Sequence, residues 1–421
     1  MSHIHPGGES GDIAIRRITE AELPAWRKTV DAGFLRPAGT TEARLEHVPY
    51  AEGRFTAAYA GARVVGALRS FTTELTVPGG TPLAADALTH VAVLPSHRRR
   101  GLLTRLVGDE LRAAAGRGEP VAVLVAAEPT VYGRYGFGPV TRLGGYEVDV
   151  PRCGGVRVPP EAGTVEALDP SEVREVGPVL HERFRRGQPG AVARDPRWWR
   201  VDTGGLRHPL RSPSAPLCVA HRDRSGEVTG LLLYSLEESW DGGLPDSRLV
   251  VLDLLALDAT ATAALWGYCL SLDWVTRVSA DNLAPDDPLP LLLGNPRAAR
   301  ASATDCDFLW LRLLDLPEAL GARTYASAGR VTLRVTDEAG YAHGHFTLET
   351  TTDGTGTCTR TETGPADLAL DVSTLAPLYL GLETLPRLHA AGLVEELHPG
   401  AVKRADLMLR TPLRPWCPDG L

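Results

Sequence analysis

The run HVAVLPSHRRRGLLTRL, from His90 to Leu106, joins the end of an apolar strand to a basic turn and the start of a helix. Arg98, Arg99 and Arg100 precede Gly101, and apolar residues follow at 102, 103, 106, 107 and 111, at helical spacing. The first amides of a helix have no internal partners and carry partial positive charge. They donate readily to phosphate oxygens. A glycine at that place lets backbone and ligand approach closely. The pattern predicts a diphosphate-binding turn over Arg99, Arg100, Gly101, Leu102, Leu103 and Thr104, read through main-chain amides. A solvated basic helix start is the plainer alternative, and the strand before the turn favours the anion site. His97 reads as a surface turn residue.

A second run, VYGRYGFG, sets Tyr132 and Tyr135 among glycines 133, 136 and 138. A phenol of pKa roughly 10 can serve as a general acid where a site holds it against a leaving group. An aromatic turn covering a core edge is the alternative for both tyrosines.

Alternating and helical patterns supply the elements around these runs. Ala14–Ile18 reads as a strand, and Thr19 with Glu22 forms a capping box before a helix holding Leu23, Trp26 and Val30. Phe55–Tyr59 and Arg63–Leu68 form a hairpin about Gly61, Leu88–Leu94 a strand, Leu102–Ala115 a helix and Val121–Ala126 a buried strand. After Pro151 the order recurs. Thr164–Leu168 with DPSEVREVGPVL, then CVAHRDRSGEVTGLLLYSL, then LVVLDLLALDATATAALWGYCLSL echo the opening elements, without the basic glycine turn. Past about residue 300, LWLRLLDLPEAL opens a third region with strands at Arg330–Val335 and His345–Leu348 and a helix at Ser373–Leu382. TTDGTGTCTRTET reads as turn. The proline-rich end reads as an extended tail laid across a surface.

Composition bounds the partners. The chain has 421 residues, 43% hydrophobic, which suits two or three domains with large cores. Its formal charge is −8 and it lacks a long basic run, which opposes nucleic-acid binding. No segment reaches the roughly 18 apolar residues of a membrane span. The start MSHIHPGGESGD lacks the apolar core of a signal peptide. Six scattered cysteines form no CxxC pair, which reads as reduced, cytoplasmic thiols and no metal site.

VAVLPSHRRRGLL resembles motif A of the GNAT acetyltransferases, whose R-x-x-G-x-G/A turn cradles the pyrophosphate of acetyl-CoA. Leu103 departs from the Gly/Ala of that motif. The departure, the three arginines and VYGRYGFGPVT are similar to the Eis-like (enhanced intracellular survival) branch, as are DDPLPLLLGNPRAAR and LWLRLLDLPEAL. The resemblance covers nearly the whole chain. It implies an α+β protein of tandem GNAT folds, each a mixed, splayed sheet flanked by helices, plus a sterol-carrier-like α+β domain. The implied division is a flexible tail at 1–12, a catalytic domain at 13–150, a degenerate central domain at 151–299 and a C-terminal domain at 300–421.

The resemblance also implies roles. Backbone partners for acetyl-CoA fall at Val91, Ala92 and Val93, with Ala127 and Glu128 on a second strand. Tyr132 matches the general acid. The base is the chain's own terminal carboxylate, at Leu421, on a tail returning to the active site. The implied acceptors are bulky polycationic amines, including aminoglycosides, with Asp287 as the contact carried over; Trp26 and Trp199 suit apolar or cation–π walls, and a turn aspartate and two half-buried core tryptophans are equal alternatives. Arg36 stands where some members place an acid, and Gly420 adds no charge beside the terminus. A homo-hexamer is implied, with no metal, nucleic acid or membrane. Protein-lysine acetylation and a lipid carrier, with Leu375, Leu378, Leu380 and Leu382 along a groove or in the core, are the competing readings.

Overall fold

The computed structural model describes residues 13–45, 48–159, 162–206, 214–361 and 364–421. The expected tail at 1–12 lies outside the described residues. Two compact units form, Met1–Thr72 with Asp86–Gly118, and Thr73–Ala85 with Glu119–Leu421.

The first unit contains β1 (Ile13–Arg17), α1 (Leu23–Gly33), α2 (Thr40–Leu45), β2 (Arg54–Ala60), most of β3 (Arg63–Thr76) and β4 (Pro82–Val93), and α3 (Leu102–Gly116). β1 runs antiparallel to β2, Ile13 opposite Ala60. β2 runs antiparallel to β3, Arg54 opposite Ser70, and β4 lies beyond β3. Gly61 makes the β2–β3 turn at φ 58°, a left-handed angle that glycine adopts without steric penalty. The Thr19–Glu22 capping box is present, on a short 3-10 turn just before α1. Trp26, Val30, Phe55, Ala57 and Ala67 form the core under α1, with the Phe55 ring edge-on to Trp26 at 5.1 Å. Each large apolar side chain buried there contributes about 1.5–3 kcal/mol. Two buried carboxylates join the elements. Asp86 pairs with Arg54 at 2.7 Å, and Glu110 of α3 with Arg17 and Arg117, both at 3.0 Å.

In the second unit, β5 (Val121–Val125) is fully apolar and precedes α4 (Pro129–Tyr132). β5 pairs antiparallel with Leu309–Leu313, which also holds Gly138–Pro139. The run LWLRLL thus supplies a neighbour for β5 rather than the first strand of a separate region. A seven-stranded sheet follows in the order 299–301, 146–149, 275–280, 247–256, 228–237, 217–222, 164–168. The strand Tyr146–Asp149, before the expected boundary at 150, pairs with Val275–Ala280 in this sheet.

The repeat legible in the sequence is real in element order. Thr164–Leu168, α5 (Pro170–Gly187), the hairpin 217–222/228–237, the strand Ser247–Ala256, the helix Ala259–Cys269 and the parallel strand Val275–Ala280 follow one another as β1, α1, the β2–β3 hairpin, β4, α3 and β5 do.

A third sheet of five strands orders 356–361, 344–350, 329–336, 368–371, 394–396. The segment expected to be turn contributes Gly356–Thr361 to it. Alternation explains this: Cys358 is buried while Thr357 and Thr359 face out. The helix Val372–Leu380 stops at Gly381, φ 88°, and Leu375, Leu378, Leu380 and Leu382 are core residues. No helix among the described residues is long and apolar enough to cross a membrane.

Candidate active site

Gly101 is the N-cap of α3 at φ 73°, and no side chain caps that helix. Arg99 is also left-handed, φ 63°, so the turn bends twice within three residues. A Cβ added to Gly101 would meet nothing within 4 Å. Arg98 is engaged in the fold, donating to Gly33 O at 2.8 Å and to Val93 O at 3.4 Å. Arg99, Arg100 and Thr104 are exposed, Leu102 is buried under the turn and Leu103 is half-buried. Uncapped amides, open space and two exposed guanidiniums fit a diphosphate.

The second domain differs at the corresponding helix start. Asp258 is the N-cap of the helix Ala259–Cys269, and its carboxylate accepts from Ala261 N at 2.8 Å. That side chain satisfies an amide of the kind that no side chain caps at α3. Gly101→Asp is therefore expected to abolish the rise in melting temperature that acetyl-CoA gives the wild type. Its cost to the ligand-free fold is about 1–2 kcal/mol at most, from the left-handed backbone. Differential scanning fluorimetry with and without acetyl-CoA checks both.

Val91, Ala92 and Val93 end β4 in the first unit. Ala92 is buried against α1, where a Cβ on Gly33 would come within 2.8 Å of its own. Ala127 and Glu128 follow β5 in the second unit and are exposed. Glu128 is the N-cap of α4 and accepts from Thr130 Oγ1 at 2.7 Å.

Tyr132 ends α4. Its ring is buried and meets Phe137 edge-on at 6.1 Å. Burial first, then Tyr135, pushes the phenol up to about 12. The glycines of this motif have distinct tasks. A Cβ on Gly136, φ 79°, would strike the Arg312 guanidinium at 2.8 Å, and one on Gly138 would come 2.0 Å from Ser373 O. The turn thus rests on a buried guanidinium and on the helix Val372–Leu380. Arg312 donates from one nitrogen to both Asp337 oxygens at 2.7 Å. Asp337 also accepts from the amides of Ala339 and Ala342. Sequence reasoning missed this support, although an arginine inside the apolar run LWLRLL signals a buried ion pair.

The chain end is not laid across a surface. Trp416 and Cys417 are buried, because the tail finds partners in the second unit. Trp416 N donates to Pro189 O, Trp416 Nε1 to Asn282 Oδ1 and Gln188 Nε2 to Arg414 O, each at 2.9 Å. The Trp416 ring meets Phe184 of α5 edge-on at 5.7 Å. Asp419, two residues before Leu421, accepts from Arg194 Nε at 2.7 Å and lies 3.1 Å from His181 Nε2. Arg194 also donates to Asp253 at 2.6 Å. Burial works against the Asp419 carboxylate, but Arg194 and His181 outweigh it and hold the group below its ordinary range.

The expected acceptor contacts differ in exposure. Trp26 is fully buried, its Nε1 donating to Thr56 O at 2.9 Å. Trp199 is buried too, with its ring under the Arg194 guanidinium at 4.6 Å. Both are core rather than cleft walls, because each sits on the apolar face of its helix. Asp287 is half-buried and accepts from Leu289 N at 2.9 Å. Burial pushes its carboxyl up to about 6.

Two acetyltransferase (GNAT) domain families match residues 14–140 and 190–313, and the sterol carrier protein domain family matches 316–418. An "Uncharacterized N-acetyltransferase" of Streptomyces griseus subsp. griseus is 45% identical over 416 residues, 97% of this chain and 99% of the relative. The "N-acetyltransferase Eis" of Mycobacterium tuberculosis is 34% identical over 354 residues, 82% of this chain and 83% of the relative. The crystal structure of Eis1 from Mycobacterium abscessus superposes with a TM-score of 0.84 at 31% identity, over 97% of this chain and all of that one. A GCN5-related N-acetyltransferase from Anabaena variabilis shares the fold, with a TM-score of 0.83 at 20% identity over 97% of this chain and 100% of that one. The α+β architecture is two GNAT domains in tandem and a sterol-carrier-like domain.

Proposed function

This chain belongs to the Eis-like branch of the GNAT N-acetyltransferases, and from that premise we propose that it transfers the acetyl group of acetyl-CoA to a primary amine of a small molecule. The observation that carries the reading is the uncapped start of α3 at Gly101, set against the Asp258 cap of the duplicate. The diphosphate is assigned to Arg99, Arg100, Gly101, Leu102, Leu103 and Thr104, and the pantetheine arm to Val91, Ala92, Val93, Ala127 and Glu128.

Acetyl-CoA supplies a thioester, and the amine nitrogen attacks its carbonyl carbon as the C–S bond breaks. Backbone amides at the end of β4 polarise the carbonyl. Tyr132 donates its phenolic proton to the departing sulfur, and its raised pKa keeps that proton in place at neutral pH. The terminal carboxylate of Leu421 holds the cationic amine and accepts its proton. The anchoring of Asp419 and Trp416 supports a fixed position for that end of the chain.

Of the group expected to bind a polycation, Asp287 alone keeps a partly exposed side chain. What this reading retains of the acceptor is its amine. The free thiols of all six cysteines support a reducing, cytoplasmic compartment. The exposed apolar group of Trp240, Leu244 and Trp274 supports the homo-hexamer implied by the resemblance.

Acetyl-CoA is expected to raise the melting temperature, and free thiol to appear in proportion to enzyme once a primary amine is added. Extending the chain by one glycine after Leu421 is expected to slow thiol release at least about tenfold with the acetyl-CoA shift intact. Absence of both the shift and the thiol across a broad amine panel removes the reading. Full rate in the extended chain removes Leu421 from it.

A further inference from the structure

We propose that the second GNAT domain serves the reaction by seating the chain's own tail, with Arg194 and Asn282 as positioning residues that fix the terminal carboxylate of Leu421. This rests on the reading of Leu421 as the base, and it gives the second domain a task in that reaction.

The strand geometry of the second domain carries the inference. Strands 247–256 and 275–280 run parallel from Ser247 opposite Val275 to Val251 opposite Ala280, and the pairing stops there. One strand continues to Ala256. The chain beyond the other turns away, with Leu283 N donating to Gly144 O at 2.8 Å. Strands that part in this way leave room for a third segment. In the first domain the proposed function gives the corresponding place to the pantetheine arm, in part at Ala127, two residues past β5. Asn282 stands two residues past the strand 275–280 and is the counterpart of Ala127.

Asp253 and Asn282 are each two residues past the last pair, so they flank the opening at one level. A bulge precedes Asp253, because Leu233 pairs with Asp253 and Tyr234 with Val251, leaving Leu252 as the extra residue. Such a bulge bends a strand and re-aims the side chains beside it. Both flanking residues hold the tail. Asn282 accepts from Trp416 Nε1 at 2.9 Å and donates to Pro418 O at 3.0 Å. Asp253 acts through Arg194, which donates to it from Nη1 at 2.6 Å and to Asp419 from Nε at 2.7 Å. His181 Nε2 lies 3.1 Å from the other Asp419 oxygen. Gly190, φ 91°, makes room, since a Cβ there would come within 3.1 Å of Trp416 N. The tail thus sits where the first domain is assigned its cofactor arm.

The seat fixes direction as well as place. The Arg194 side chain is 3% exposed and lies over the Trp199 ring, so its two ion pairs are closed to water. Charge-assisted bonds in such surroundings are short and strong. The burial of Trp416 and Cys417 is enough to dock a tail. A charge cluster two residues from the chain end does more, because it keeps the Leu421 Cα within roughly 7 Å of the Asp419 Cα. A reacting group gains from that confinement, since misplacement by about 1 Å can cost about 10²-fold in rate.

The test uses the full chain, with acetyl-CoA and the fastest acceptor among spermine, hexylamine and glucosamine. Alkylation of Cys417 by N-ethylmaleimide, read by peptide mass spectrometry, reports whether the tail is seated, because that thiol is fully buried. Asp419→Ala is expected to speed the alkylation about tenfold or more, as local opening of the tail becomes easier. It is expected to lower kcat by about 10- to 100-fold while acetyl-CoA still raises the melting temperature. Asn282→Ala, which removes no charge, is expected to act in the same direction. The deciding readout is coupling. Adding a glycine after Leu421 to Asp419→Ala is expected to lower kcat no further, because both changes act through one carboxylate. A purely structural role of the cluster makes the two losses multiply. Multiplying losses, full kcat in both variants, or unchanged alkylation in both overturns the proposal. Should Asp419→Ala fail to fold, Asn282→Ala with and without the added glycine decides. An extension that slows the wild type while both variants keep full kcat removes the seat and leaves the Leu421 reading. An extension without effect, or no thiol release from any of the three amines, removes that reading and the proposal with it.

Discussion

Replacing Tyr132 by Phe is expected to lower kcat by about 10²–10⁴-fold while leaving acetyl-CoA affinity and melting temperature nearly unchanged. The reasoning starts from packing. Phe keeps the ring against Phe137, so the edge-on contact at 6.1 Å survives and only the hydroxyl is lost. The diphosphate contacts assigned to the start of α3 are not touched. The pH profile provides a second check. Burial raises the phenol to about 12, above its ordinary value of 10.0, so the proton-bearing form persists to high pH. Loss of the Tyr132 proton is therefore expected only as pH climbs towards 12, and no basic limb from this group appears between pH 7 and 10. The same sign holds for stability: the contribution is complete below pH 10 and declines as pH rises through the folded value. Stopped-flow thiol release across pH, with wild type and variant side by side, measures both. A Tyr132→Phe enzyme with full kcat removes the acid assignment.

Asp337→Ala is expected to destabilise the protein by about 3–5 kcal/mol, because it leaves the fully buried Arg312 guanidinium without its carboxylate. In a unit of this size that corresponds to a melting temperature lower by about 5–8 °C. Removing both charges together, as Arg312→Met/Asp337→Leu, is expected to recover most of the loss, since a packed apolar pair can replace a buried ion pair. Gly136 lies directly against that guanidinium, so the single variant should also lower kcat through displacement of the Tyr132 turn. Acid has a related effect. Burial opposes the Asp337 charge, but Arg312 and the amides of Ala342 and Ala339 hold the carboxyl below its ordinary value of about 3.9. Its contribution is present above that value and disappears as pH falls through the lower, folded one. Chemical denaturation of the three proteins at pH 7 checks the order, and repeating it at pH 3 and below checks the acid effect. Equal stability of wild type and Asp337→Ala would contradict the account.

Much of the local structure was legible in the sequence because periodicity and capping chemistry act over a few residues. The Thr19–Glu22 box, the Gly61 hairpin and the α3 apolar face at Leu102, Leu106, Val107 and Leu111 all follow from neighbours in the chain. The repeat was legible for the same reason. Pairings between distant segments were not. LWLRLL reads as a buried strand, but only its register against β5, Leu309 opposite Val125, says which sheet it joins. The tail has no periodicity to read, because its prolines close no ladder, and its burial depends on Asn282, Gln188 and Arg194. Trp26 and Trp199 stayed open between two readings for a physical reason: an aromatic on an amphipathic helix serves a cleft wall and a core equally well in sequence, and only burial decides for the core.

The contrast between Gly101 and Asp258 reaches beyond binding. A carboxylate at a helix start secures that helix by about 1 kcal/mol, and the duplicate enjoys this at all times. The copy at Gly101 forgoes it, and under the proposed reading a bound diphosphate completes its first turn. Specialisation of a doubled gene can thus proceed by one side chain: the copy that acquires a permanent tenant becomes sturdier and silent, and the copy left vacant stays responsive to supply of its donor.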